Sequence, residues 1–585
     1  MNFKKMPMVV AIIISALLGA CSSNEEKVVL EDREPEAATG VQNKQLVSSQ
    51  HYMVAAANPY AVRAGQTVIE NGGTAIDAAV AVQAMLTLVE PQSSGIGGGA
   101  FIMYWDNANK TLHTFDGRET APASIDENVF IQDGKAMAWR QAVVGGKSVG
   151  VPGSLKALEM AQAAFGKLSW DSLFDESISQ AENGFVVSPR LARLVEIDVH
   201  PGLNLFPESM AYFKPDGKAI KAGDIKKNKA LAETFRLIAK GGSDVFYKGQ
   251  IAKNISDTVN TAAVNPGTIS ATDFAHYEAI ERAPMCNKYR QYKICGMAPP
   301  SSGGVSVFQI LKVLEQFDLS QYGPQSAEFV HLFTQASAMA FADRAEYIAD
   351  LSYLELSAEP LINQDYLAER AKLVGVKQPF STKTAGQPYP MLVTTTDNAY
   401  ELDSTSHISI VDKQGNAVSM TSSIEFMFGS GLMVDGFLLN NQLTDFSLNP
   451  NKDGKPVLNR AQANKRPRSA MSPSIVFDDK GELILVVGSP GGSRIINYVA
   501  QTIVNVLDFD MDIQTAIDAP RVSNRNGSTA LEKGTNIVKL ESKLSDLGHK
   551  VRIVDLNSGL HGVQIKDGVL KGGADPRREG IALGQ

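Results

Sequence analysis

Three cysteines and eight histidines in 585 residues leave little material for a metal centre. They are scattered, with no His-Glu-x-x-His and no Cys-x-x-Cys, the spacings that bring ligands onto one helix face or one turn. No Gly-x-Ser-x-Gly stands between a strand and a helix, which removes the usual nucleophile elbow of a serine hydrolase. Excess positive charge is also missing. Lys and Arg total 55 against 63 Asp and Glu, a net charge of −8, and no long basic run is present to track a phosphate backbone. Glycines cluster at Ser93-Ser94-Gly95-Ile96-Gly97-Gly98-Gly99, but without the Lys-Ser or Lys-Thr of a phosphate loop and ahead of a strand, not a helix. They suit close backbone packing or an unusual turn.

Composition is otherwise that of an ordinary globular chain, 44% hydrophobic and 20% charged, with length enough for a large core. The start is different. Lys4 and Lys5 precede an apolar run from Met8 to Leu18, too short to cross a bilayer as a mature helix, which reads as an export signal over residues 1–20. Its end, Leu18-Gly19-Ala20-Cys21, resembles a bacterial lipobox. That resemblance implies lipidation of Cys21, and Ser22 in place of Asp favours a periplasmic protein anchored to the outer membrane. An ordinary signal peptide containing a cysteine is the alternative. Residues 21–50 are polar, acidic and poor in aromatics, as a flexible tether is. Cys286 and Cys295 flank what looks like two short strands around a turn. An oxidising compartment allows them to pair, and two separate buried thiols are also open, because pairing depends on Cβ geometry.

Along the chain, residues 60–90 carry Ala and Val at helical spacing, broken at Gly72-Gly73, with Thr74 and Asp77 placed as a capping box for a second helix. Residues 100–105 and the stretch up to Phe115 read as strands around a turn at Asp106-Asn107. Residues 155–280 read as helical scaffold. Ser301 and Ser302 stand where they could cap an apolar helix over 305–317. From 380 to 403 the chain is rich in Thr, Ser, Pro and Gln, a composition suited to an exposed and mobile segment. Thr405 then heads an alternating strand to Val411, with a turn at 412–416 and a returning strand over 417–422. A later hairpin, 475–477 with 483–487, delivers the chain to Gly488-Ser489-Pro490-Gly491-Gly492-Ser493-Arg494, followed by a helix over 495–507.

Ser404-Thr405-Ser406-His407 alone says little, since most Ser/Thr clusters at a strand start are turn or capping residues. Ordered islands elsewhere give it meaning: 95–99, Asp116-Gly117-Arg118-Glu119, Gly150-Val151-Pro152-Gly153-Ser154, 299–304, 405–411, 438–446, 464–473 and 488–496. In these the chain resembles the γ-glutamyltransferases of the N-terminal-nucleophile hydrolase superfamily, from about residue 51 to 580. The resemblance implies an α+β fold, a four-layer αββα sandwich. It also implies self-cleavage between Ser404 and Thr405 into intertwined subunits 51–404 and 405–585. A threonine hydroxyl is a poor nucleophile without a base, and cutting the chain frees an α-amine beside it. The implied reaction moves the γ-glutamyl group of glutathione or a related amide to water or to an amino-acid or peptide acceptor, with no metal or organic cofactor.

Residue roles follow by motif position. Gly491 and Gly492 match the oxyanion pair, where two backbone N–H groups approach the tetrahedral intermediate. Ser423 falls where a family threonine supports the nucleophile's amine. Arg118 matches the arginine that clamps the donor's α-carboxylate, a task for a bidentate guanidinium. Asp445 and Gln442 match residues holding the α-ammonium, and Ser469 one of two serines on the carboxylate. Two positions depart: Ala470 replaces the second serine, and Glu425 stands where many relatives have asparagine near the ammonium. The lost hydroxyl should weaken carboxylate binding by roughly 1 kcal/mol, whereas Glu425 beside Asp445 strengthens cation binding against like-charge repulsion. Residues 447–463 match the family's lid but are slightly short and lack tyrosine. Two alternatives stand beside this reading: an acylase of the same fold with a glutaryl or cephalosporin-type donor, and an unprocessed envelope lipoprotein with a binding role.

Overall fold

The computed structural model describes residues 42–397, 399, 401 and 404–585. The export signal, Cys21 and the first part of the tether lie outside the described residues.

Two seven-stranded sheets form the centre. Their strands, in chain order, are β1 (Val47–Ser49), β2 (Met53–Ala56), β3 (Gly99–Asp106), β4 (Thr111–Gly117), β5 (Ile280–Arg282), β6 (Met285–Tyr289), β7 (Tyr292–Gly296), β8 (Ser406–Val411), β9 (Ala417–Ser423), β10 (Ser474–Phe477), β11 (Leu483–Gly488), β12 (His561–Lys566), β13 (Val569–Ala574) and β14 (Ile581–Gly584). One sheet runs β1-β13-β12-β11-β10-β7-β6 and the other β14-β2-β8-β9-β3-β4-β5, all pairs antiparallel. Both contain strands from either side of Thr405, so a cut there leaves two pieces held by shared sheets.

Period-2 alternation sorts the side chains of the central pair. Ile408, Ile410, Val418 and Met420 join the core formed with helices α1 (Pro59–Glu70), α2 (Ala75–Val89) and α3 (Ser154–Phe165). His407, Ser409, Ser419 and Thr421 sit on the alternate face, toward the other sheet, where Ser419 Oγ donates to the Val487 carbonyl (3.2 Å) and Ser409 Oγ to that of His561 (3.1 Å). The sheet that contains β11 and β12 packs with α4 (Gly303–Leu314), α5 (Ala327–Tyr347) and α6 (Ile495–Leu507) around the other large core. The order is thus helix, sheet, sheet, helix, the four-layer αββα sandwich.

The Thr74–Asp77 capping box opens α2, which is buried along its whole length. Cys286 and Cys295 lie opposite each other in the β6–β7 hairpin and form a disulfide. Three expectations need correction. Residues 47–49 do not belong to a tether: they form edge strand β1 on β13, because Leu46 and Val47 have a core to pack against. Ser302 precedes α4 without capping it with its side chain, since its Oγ donates instead to the Ser469 carbonyl (2.7 Å); Ser301 Oγ receives the Gly303 N–H. Finally, the 380–403 segment is not exposed throughout. Met391 is 93% exposed, but Asp397 and Glu401 are buried, paired with arginines.

Candidate active site

Strand register places the nucleophile candidate. Ser406 pairs with Ser422 across β8 and β9, so the next position outward sets Thr405 opposite Ser423. Thr405 Oγ1 donates to Ser423 Oγ (3.2 Å), which in turn donates to the carbonyl oxygen of Ser404 (2.7 Å) and accepts the Glu425 N–H (2.8 Å). One hydroxyl therefore bridges Thr405 and the carbonyl in front of it. Ser404 Oγ donates to the Gln92 carbonyl, fixing the residue before the bond. The glycine island at 95–99 allows this closeness: a Cβ at Gly98 would stand 2.1 Å from the Ser423 carbonyl oxygen. His407, the nearest histidine in sequence, is held by Thr421 Oγ1 (2.8 Å) and Ser409 Oγ (3.0 Å), and burial keeps it neutral, with its pKa well below the usual imidazole range. Gly146 to Gly150 spell Gly-x-Ser-x-Gly, but Ser148 is buried in a 3-10 turn and donates to the Val143 carbonyl (2.7 Å).

Gly491 and Gly492 have φ of 132° and 52°, and a Cβ on Gly491 would meet the Tyr498 ring at 2.6 Å, so glycine is required in this turn. Gly492 borders a small cavity with Thr405, Ser423, Glu425, Gln442, Asp445 and Ser469; Arg118, Ala470 and Glu401 line it too. The sequence-derived site residues of the folded part line this cavity, except Gly491 and Ser404, each of which precedes a lining residue. The free space is about 20 Å³, room for roughly one water.

Arg118 leaves the end of β4 fully buried. Its Nε donates to the Pro467 carbonyl (3.1 Å), and its Nη2 to the Arg468 carbonyl (2.7 Å) and Asp445 Oδ2 (2.5 Å). The two groups assigned to opposite ends of a zwitterion are thus paired with each other. Gln442 Nε2 donates to the same Asp445 oxygen (2.9 Å). Asp445 Oδ1 and Gln442 Oε1 are buried acceptors without a donor among the described residues. Burial pushes the Asp445 carboxyl up to about 6 against the pull of Arg118. Glu425, at φ 77°, accepts from Asn441 Nδ2 (2.6 Å) and lies on the same wall. Ser469 Oγ accepts the Met471 N–H (3.2 Å), and its backbone is buttressed by Ser302 and Pro300.

Several residues of the site escaped the sequence reading. Glu119, with Oε2 3.6 Å from Arg118 Nη1, is fully buried, and desolvation raises its carboxyl to about 8. Arg344, Arg468, Asp397 and Glu401 form a buried charge cluster beside the cavity. Glu119 and Arg468 sit inside motifs already singled out, directly beside Arg118 and Ser469; Glu401 lay in a stretch read only for its polarity. The 447–463 segment forms a small hairpin, Asn451–Lys452 with Lys455–Pro456, and contacts residues 394–396 through it and Val457, and Asp397 through Asn459.

An αββα sandwich with a threonine at the head of a central strand defines the N-terminal-nucleophile hydrolase class. Within it, the chain belongs to the γ-glutamyltranspeptidase family, whose model matches residues 61–585. The glutathione hydrolase proenzyme of Bacillus subtilis (strain 168) is 38% identical over 558 residues, covering 92% of each chain. The acylase ACY 1 proenzyme of Pseudomonas sp. (strain SE83) is 33% identical over 559 residues, 94% of this chain and 96% of that one. Among solved structures, a cephalosporin acylase from Bacillus halodurans superposes with a TM-score of 0.82 at 27% identity, over 93% of this chain and 97% of that one. Glutathione hydrolases and acylases share this scaffold, so the scaffold alone does not select the acyl group.

Proposed function

We propose that the chain cuts itself before Thr405 and that the freed threonine transfers the γ-glutamyl group of glutathione or a related amide to water or to an amino-acid or peptide amine. The Thr405–Ser423–Ser404 relay supports the first step. Thr405 Oγ1 attacks the Ser404 carbonyl carbon while the Ser423 hydroxyl hydrogen-bonds the developing oxyanion. The proton lost by Oγ1 ends on the departing amide nitrogen, the C–N bond breaks, and Ser404 is left as an ester of Thr405. Water hydrolyses that ester to a Ser404 carboxylate and a Thr405 hydroxyl beside its own α-amine, the base for later turnover. In turnover the same oxygen attacks the γ-glutamyl amide carbonyl with the Gly491–Gly492 turn facing the oxyanion, the C–N bond breaks and the amine leaves with the hydroxyl's proton, and water or an acceptor amine then takes the acyl group and returns a proton to Oγ1.

The observation that carries the donor assignment is the charge pattern beside Thr405, where Arg118 faces Asp445 and Gln442 with signs that match the carboxylate and ammonium of an α-amino acid, although in the uncut chain the two charges pair with each other and leave room for roughly one water. Arg118, paired with Asp445 in the uncut chain, would turn its guanidinium to a carboxylate when a donor displaces that pairing, while Asp445 Oδ1 and Gln442 Oε1 offer an ammonium acceptors that have no donor among the described residues. A glutaryl donor lacks that ammonium. The acylase reading draws on Ala470, which lines the cavity without a hydroxyl. Turnover of γ-glutamyl, glutaryl and α-glutamyl anilides, with and without a dipeptide acceptor, separates the two. Preference for γ-glutamyl is expected, and preference for glutaryl overturns the assignment. The signal and lipobox resemblance support export with lipid attachment at Cys21. Mass spectrometry of the mature N-terminus should find a diacylglyceryl cysteine, and an unmodified start downstream of Cys21 contradicts it.

A further inference from the structure

Asn459 lies near the end of the 447–463 segment and is fully buried. Its Nδ2 donates to the Asp445 carbonyl (2.7 Å) and to Asp397 Oδ2 (2.8 Å), and its Oδ1 accepts the Arg468 N–H (3.0 Å). Its own carbonyl accepts the Ser447 N–H (2.9 Å). One side-chain amide thus joins the backbone of Asp445 to that of Arg468, whose carbonyl holds Arg118 Nη2 and which directly precedes Ser469. Asp445, Asn459 and Arg468 all follow Thr405, so a cut before Thr405 does not interrupt this bridge.

Only an amide in this orientation fits these partners. A carboxylate would set its lone pairs against the Asp445 carbonyl and the Asp397 carboxylate, and a flipped amide would turn its own N–H groups toward the Arg468 N–H. Lys465 fixes the loop that carries Asn459. Its buried ammonium donates to the carbonyls of Leu458 (2.5 Å) and Arg460 (3.1 Å), on either side of Asn459, and to Gln462 Oε1 (2.9 Å). Three oxygens turned on one desolvated cation hold the loop in a single shape, because each would give up a charge-assisted bond by leaving.

We propose that Asn459, held by Lys465, is the positioning residue that sets the spacing between the two ends of the donor pocket. It stands outside the lining of the cavity and acts through Asp445 at one end and Arg468, with Arg118 and Ser469, at the other. The inference rests on the γ-glutamyl reading. A donor carrying both an ammonium and a carboxylate must meet Asp445 and Arg118 at once and is sensitive to their spacing. A glutaryl donor has only the carboxylate and tolerates a change in it.

The test measures γ-glutamyl and glutaryl anilides on the cleaved two-chain protein and on Asn459→Ala and Asn459→Asp, the second of which keeps an acceptor for the Arg468 N–H but loses the donor to Asp445. In both variants KM for the γ-glutamyl anilide should rise roughly tenfold or more, with kcat and the rate of self-cleavage changing far less, because a misplacement of ~1 Å in binding groups costs up to ~10²-fold. KM for the glutaryl anilide should move little. Lys465→Met, which removes the cation and keeps an apolar stem, should shift the γ-glutamyl KM in the same direction by a smaller factor, and it decides the matter if the Asn459 variants fail to accumulate. A γ-glutamyl KM that stays put overturns the positioning role. So does an equal rise for both anilides, or a fall in kcat and cleavage that matches the rise in KM, the pattern of a general loss of structure. The ratio of the two KM values is read as a change from one protein to the next, so it decides the role of Asn459 whichever anilide the unmodified protein prefers; preference for glutaryl in the unmodified protein defeats the γ-glutamyl reading alone.

Discussion

The nucleophile and the pocket beside it are built from different materials. Thr405 and Ser423 are neutral hydroxyls at the ends of adjacent strands, placed by a register that runs unbroken from Val411 paired with Ala417 to Ser406 paired with Ser422. The pocket and the cluster beside it are made of ionisable groups, on loops and, for Arg344, on α5, brought together from four stretches of chain: Arg118 and Glu119, Arg344, Glu401, and residues 442–468. A hydroxyl relay buried between strands costs little desolvation and needs only geometry. A buried charge cluster is stable only while each member has its partner, so it responds to the loss or arrival of an anion. In the proposed mechanism bond cleavage is thus a property of the sheets, and donor recognition a property of the ionisable groups beside them.

That division can be broken experimentally. Its largest expected effect is at Ser423: Ser423→Ala removes the hydroxyl between Thr405 and the Ser404 carbonyl and should slow self-cleavage by about 10²-fold or more, the usual consequence of losing an oxyanion donor. Gel electrophoresis after a time course reads it directly, and cleavage at the unmodified rate removes Ser423 from the mechanism. Next is Asp445→Asn, expected to lower kcat/KM for a γ-glutamyl donor by roughly ten- to a hundredfold while slowing cleavage far less. Ammonium binding needs the ionised carboxylate, so in the unmodified protein kcat/KM should fall as pH drops through about 6, and the Asn variant should lose that limb. Equal damage to cleavage and turnover would erase the distinction between the two regions.

The smallest effect concerns Glu119. Its folded pKa of about 8 lies above the ordinary carboxyl value of 4.5, so between those values the folded chain holds a proton that the unfolded chain has released. Stability contributed by this group is complete below about pH 4.5 and is lost as pH rises toward 8. Glu119→Gln should flatten that decline in thermal denaturation profiles and leave the acid side unchanged. Coincident profiles for the two proteins would show that Glu119 does not titrate in this range.

How much could be read beforehand follows the same line. The Thr74–Asp77 box, the helix over 495–507 and the hairpin headed by Thr405 depend on near neighbours in sequence, and each stands where its pattern indicated. Arg118 and Asp445 were identified separately, but nothing local shows that they hold each other across 327 positions. Ser302 illustrates a competing demand, because its hydroxyl serves the Ser469 carbonyl 167 positions away and not its own helix. Glu401 was invisible for the same reason: a glutamate in a polar stretch shows its burial only when both arginines are placed.

Intact-mass analysis of the purified protein beside its Thr405→Ala variant shows whether the chain cuts itself through this hydroxyl. Two polypeptides are expected for the unmodified chain, the smaller beginning at Thr405, and one uncut, inactive polypeptide for the variant. A variant that matures into the same two pieces, or turns over a γ-glutamyl donor at the unmodified rate, would contradict it.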